Sequence, residues 1–198
     1  FSFAAALLLC LSAVSCHVEN QEPNIERGYS EQAFNDLLGK LVDADRSSKA
    51  DVDAFVGMLR AGTYIGSKLP AFTEKHIPAL LSYTDNTELF SPVLCNPSSS
   101  YWMESCTIGF YALWTIESIR ISAAMPSDYV LYQSFPSQIP AIVDAQITTE
   151  AKLYINDPKV QQDVTAFYKL WWNYYGMTLP FVRAAEVNPL YGSPYRWH

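Results

Sequence analysis

The chain reads as mainly α, a single compact multi-helix domain with long proline-containing loops around a central buried helix at about 105–123. Apolar residues recur at i, i+3, i+4 in several segments, the spacing of one buried helix face. One segment is apolar on nearly every side, which marks a helix enclosed by others. Asp157-Pro158 and Gly176 bracket a third periodic stretch as start and stop signals.

Taken in order, Ala4 to Leu11 form an apolar core followed by small residues up to Cys16, the order of a secretory signal. The run is too short to span roughly 30 Å of hydrocarbon. It resembles a bacterial lipoprotein signal covering 1–15, with Ala13-Val14-Ser15 before Cys16, the residue expected to be cleaved and lipidated. Residues 16–29 are polar, include Pro23 and Gly28, and read as a lipid-anchored tether leading to a single helical domain at 30–198. Ser30 suits an N-cap, and Phe34, Leu37, Leu38, Leu41 and Val42 follow on one face. A second helix begins at Ser48, with Asp51 three residues on as a capping-box partner. It buries Val52, Phe55, Val56 and Leu59 and is closed by Gly62.

Leu69 to Phe72 is an extended connector, and Pro78 opens a short helix to Tyr83 that buries Leu80 and Leu81. Residues 90–103 carry Pro92, Pro97 and three successive serines, a long loop. The central helix from Ser105 to Ala123 includes Phe110, Tyr111, Leu113, Trp114, Ile116 and Ile119. Tyr129 to Tyr132 suits either a strand or a loop, and a helix is expected from Ala141 through Tyr154. Asp157 caps a helix burying Val160, Val164, Phe167, Trp171 and Tyr174, and the tail after Pro180 is expected to be irregular.

The net charge of −7 disfavours nucleic acid as a partner, because phosphate binding needs clustered Lys and Arg. The charge is uneven, with nine acids and four bases in residues 17–53, a solvated face or a docking surface for a basic protein. Cys95 and Cys106 remain as an even pair, either a disulfide or two buried thiols. A bridge closing such a short loop is worth about 2–3 kcal/mol in the chain-entropy picture.

Glu117 and Arg120 are the most unusual residues, two charges three apart on an apolar helix. They read first as an internal ion pair, and second as a buried general acid beside a ligand-binding guanidinium. His17, His76 and His198 form no metal-ligand spacing, and no nucleophile elbow, P-loop or dinucleotide fingerprint occurs. No metal and no cofactor are expected. Glu104, Glu117 and Asp144 are the carboxylates a glycosidase would draw on, without any spacing that selects them. Trp171 and Trp172 point about 100° apart on a helix, so Trp171 reads as core. Trp172, with Tyr168 and Tyr175, reads as a surface for a sugar ring or a partner protein, against the plainer reading of core packing. Tyr195 to His198 is expected to be a docked tail.

Leu69 to Phe72, Ile77 to Tyr83, Asn96-Pro97, the segment Cys106 to Arg120 with its LWTIESIR core, Trp171-Trp172 and the closing Tyr195 to His198 together resemble a family of small uncharacterised Bacteroidetes proteins, over about residues 50–198. The resemblance implies a lipoprotein of the Gram-negative envelope and carries over no catalytic residue. The expected function is therefore a non-catalytic binding lipoprotein held to a membrane by its lipid, with one protein partner or a glycan. A periplasmic immunity protein and a glycan-binding accessory protein are the alternatives, and an enzyme comes last.

Overall fold

The computed structural model describes residues 48–64, 69–125, 135–146 and 151–198. The signal segment, Cys16, the tether, the helix expected after Ser30 and the Tyr129–Tyr132 segment lie outside the described residues.

Helix α1 (Ser48–Ala61) buries Val52, Phe55, Val56 and Leu59 as its periodicity requires. It ends where Gly62 takes a left-handed φ of 62°, and the Thr63 N–H reaches back to the Met58 carbonyl, a glycine-dependent cap. Asp51 does not serve as a capping-box residue. Its carboxylate turns inward toward His76, which sits on a short 3-10 turn (Glu74–His76) leading into α2 (Ile77–Leu81).

A two-residue antiparallel pair, β1 (Leu89–Phe90) with β2 (Cys106–Thr107), closes the serine- and proline-containing loop. It also delivers the chain into the central helix, α3 (Ile108–Ala124). The α3 cap is Thr107, whose hydroxyl accepts from the Phe110 N–H at 3.2 Å. Every residue of α3 from Ile108 to Arg120 is buried, consistent with its nearly all-apolar sequence. Trp114, fully buried, donates its indole N–H to Ser137 at 2.7 Å.

Where a helix was expected over 141–154, the described residues form strands. Ile142–Asp144 forms β3, which pairs antiparallel with β4 (Leu153–Tyr154) on one side and β5 (Tyr195–Trp197) on the other. Ile142 and Val143 are β-branched, and the partner strand that fixes them comes from more than fifty residues downstream. The described residues are thus helix-rich with two small antiparallel sheets.

Helix α4 (Pro158–Trp171) begins as its sequence dictates: the Asp157 carboxylate accepts from the N–H groups of Lys159 and Val160, and Pro158 occupies the first turn. After Trp171 the helix widens into a π-helical turn, Trp172–Gly176, in which the Met177 N–H reaches the Trp172 carbonyl. The chain then doubles back through Pro180 into α5 (Phe181–Ala185), a short helix where irregular chain was expected. Phe181 packs against both Trp171 and Trp172. It fills the place Tyr174 was expected to take, and Tyr174 projects into solvent at 70% exposure.

Candidate functional site

Glu117 and Arg120, 3% and 8% exposed, meet inside the domain. The Arg120 guanidinium grips the carboxylate with two hydrogen bonds of 2.8 and 2.6 Å, and its remaining arm donates to the Ala185 carbonyl at 2.7 Å. Tyr168 donates to Glu117 Oε2 at 2.6 Å, and the Trp197 indole N–H donates to the Tyr168 oxygen at 2.8 Å. Burial works against the Arg120 charge, but the paired carboxylate outweighs it and holds the guanidinium more firmly protonated than usual. Burial, then the Glu117 charge, push the Tyr168 phenol well above its ordinary range.

The sequence reading placed Tyr168 on a surface with Trp172. It is fully buried, because it falls on the α4 face that meets α3 and has a carboxylate to satisfy its hydroxyl. The cluster joins α3, α4, α5 and β5, and both Glu117 oxygens already accept strong bonds. Such an arrangement fixes how elements meet, and it leaves no oxygen turned toward a substrate.

A second buried polar group escaped the sequence reading. His76 Nδ1 accepts the Thr73 backbone N–H at 3.0 Å, which places the ring proton of the neutral imidazole on Nε2, facing Asp51 at 3.5 Å. Both side chains are almost fully buried, and His76 stacks on Phe72. The backbone thus holds one side of the ring, and the Asp51 carboxylate lies beside the other with its Oδ1 buried and without a hydrogen-bond partner. Asp51 and His76 are 25 residues apart, and only the Thr-x-x-His cap spacing hinted that His76 was placed.

Cys95 and Cys106 are thiols in the structure, not the disulfide that their even number allowed. Cys106 is fully buried, which raises its thiol well above the usual range and makes it a poor nucleophile. Glu104 is exposed, and Asp144 lies on β3, where it accepts the Tyr154 hydroxyl and the Lys152 N–H. Among the described residues no cluster of His, Cys, Asp or Glu could hold a metal ion, and no helix is long and apolar enough to cross a membrane.

A concentration of exposed apolar side chains among the described residues lies at the C-terminal end of α4. Leu170, Tyr174, Tyr175, Met177, Leu179 and Val182 are all exposed within thirteen residues. The π-helical turn and the reversal at Pro180 bring them onto one hairpin. Beneath it Trp172, half-buried, lies against Trp171, Phe181 and Gly176. A side chain at 176 would collide with the Trp172 ring, so the glycine lets the turn close on the indole. Trp172 is thus the underside of the hairpin, and Tyr175 belongs to its outer surface. Concentrations of exposed apolar side chains on this scale mark contact surfaces, and π turns recur where function requires a local change of direction.

The model of a domain family of unknown function, DUF4943, matches residues 46–198. The chain belongs to the DUF4943 family. The DUF4943 domain contains the polar clusters and the exposed hairpin described above. No curated protein and no solved structure matches the chain.

Proposed function

We propose that this DUF4943 protein is a non-catalytic binding module, held to a bacterial envelope membrane through a lipid on Cys16, and that its contact surface is the 170–182 hairpin. The observation that carries the reading is the exposure of six large apolar side chains on one hairpin, while the buried charged groups are engaged with one another. The leader supports the membrane address: an apolar run and small residues precede Cys16. The Bacteroidetes resemblance of the LWTIESIR segment fits the same address.

The test has two arms in a Gram-negative host. Metabolic labelling with a fatty acid should mark the full chain and should fail with Cys16→Ser; labelling that survives would refute the anchor. Tyr174→Ser combined with Met177→Ser should leave thermal unfolding within about 1 kcal/mol of the parent and abolish retention of the domain by envelope material. Unchanged retention would refute the hairpin as the contact surface.

A glycan as ligand is favoured by a separate observation. Trp102 is 67% exposed beside Tyr101, whose ring meets His198 at 4.5 Å, and flat exposed aromatics suit stacking on sugar rings. Oligosaccharide quenching of tryptophan fluorescence, lost in Trp102→Ala, would establish it. Quenching unaffected by that substitution would exclude this surface.

A further inference from the structure

We infer that the 170–182 hairpin seats in the interfacial layer of a lipid bilayer, so that the occupant of the contact surface is the membrane itself. The inference rests on the binding-module reading and names its partner.

From Leu170 to Val182 no Asp, Glu, Lys or Arg occurs, and the run is bracketed by Lys169 and Arg183. Each bracketing cation already has an acid: Lys169 Nζ lies 2.6 Å from Asp85, and Arg183 lies 3.2 Å from Glu186. The face is therefore electrically neutral although the whole chain carries −7. A basic protein would be drawn to the acidic remainder rather than to this hairpin, and an acidic one would find no free cation on it. A neutral interface of headgroups and upper acyl chains matches it.

The side-chain types match that layer as well. Tyr174 and Tyr175 have apolar rings and a polar tip, the combination favoured at membrane–water boundaries. Met177, Leu179 and Val182 supply purely apolar area between and beyond them, at 65, 43 and 55% exposure. Trp172, wedged against Trp171 and Phe181, backs the turn.

The chain length permits the docking. Thirty-one residues lie between Cys16 and Ser48, and those of the expected tether at 16–29 alone advance up to about 3.3 Å each, so the domain is not held rigidly against its anchor. An anchored domain meets that bilayer at high effective concentration, and a modest contact then suffices to orient it.

The experiment uses the purified chain from residue 16 onward carrying Cys16→Ser, so that neither the apolar leader nor an acyl group contributes, and phosphatidylcholine vesicles in a flotation assay. The parent should float with the vesicles, equally at low and high salt, because apolar area drives the contact. Tyr174→Ser with Met177→Ser should lower the partition coefficient at least tenfold, with the circular dichroism spectrum unchanged. Flotation that persists in the variant, or that requires anionic lipid and vanishes with salt, would overturn the inference. If the parent does not float but the variant loses a protein contact or a self-association seen by light scattering, the membrane is the wrong occupant and the binding-module reading stands. If the variant changes neither behaviour, both fall.

Discussion

Replacing Glu117 by Gln keeps the shape of the side chain and an acceptor for Tyr168, and removes only the charge. The Arg120 guanidinium would then remain buried with the Ala185 carbonyl as its one strong backbone acceptor and no counter-charge. Breaking a buried pair from one side costs about 3–5 kcal/mol, because the stranded charge has lost its hydration without compensation. Arg120→Met makes the reciprocal cut, stranding the carboxylate against Tyr168 alone, and belongs to the same range. For a domain of this size such a loss corresponds to about 10 °C in Tm. The double variant should be milder than the sum of the singles, with a coupling of about 2–3 kcal/mol, since it removes both charges together. Urea unfolding of the full chain, followed by circular dichroism with m held constant across variants, measures all three. Singles costing under about 1 kcal/mol, or strict additivity, would show that the pair is solvated and that the latch described for α3, α4, α5 and β5 does not exist.

Two further outcomes are expected. Gly109→Ala should destabilise by about 1–3 kcal/mol, the range of overpacked sites. A Cβ there would press on the Thr84 and Asn86 carbonyls and on the Gln161 amide that bonds both; a neutral result in urea unfolding would mean the turn gives way freely. Alkaline stability should fall steeply. Burial raises the phenols of Tyr64, Tyr111 and Tyr168 in the folded chain, so their contribution is complete below the unfolded value of about 10 and is lost as pH rises beyond it. Three such groups give a slope that approaches about 4 kcal/mol per pH unit from about one unit above that point. Urea midpoints measured across the range should show it, with a shallower slope for Tyr168→Phe; a flat profile would refute the burial of these hydroxyls.

The parts of the fold that were legible in the chain are those whose signals are local. Asp157-Pro158 carries its cap acceptor and its fixed φ within two residues, and α4 begins there as expected. The apolar stripe of α1 and the unbroken apolar character of α3 likewise need no distant partner to be read. Ile142 and Val143 misled because their strand state depends on Tyr195–Trp197, which no window of local periodicity contains. Tyr168 misled for a related reason: its spacing to Trp171 and Trp172 suggests a surface cluster, whereas a carboxylate fifty-one residues earlier accepts its hydroxyl. Tyr174 was expected on the buried stripe because the period was counted as α; the turn widens at Trp172, and Phe181 returns to occupy the stripe's continuation. Glu117 and Arg120 stood out in the chain for a simple physical reason. Two charges at helical spacing in an apolar helix can be tolerated only together.

The antiparallel pairing of β5 with β3 has a consequence for biogenesis. Residues 195–197 leave the ribosome after the rest of the domain, and until they arrive β3 lacks the strand at one of its edges. Trp197, the donor to Tyr168, arrives with them. Closure of the sheet and of the buried cluster is therefore deferred until the last strand of the domain has been made, since contacts between distant segments cannot form before both exist. Until then the earlier segments of the domain are held only by one another, and the chain stays pliable while it is being made.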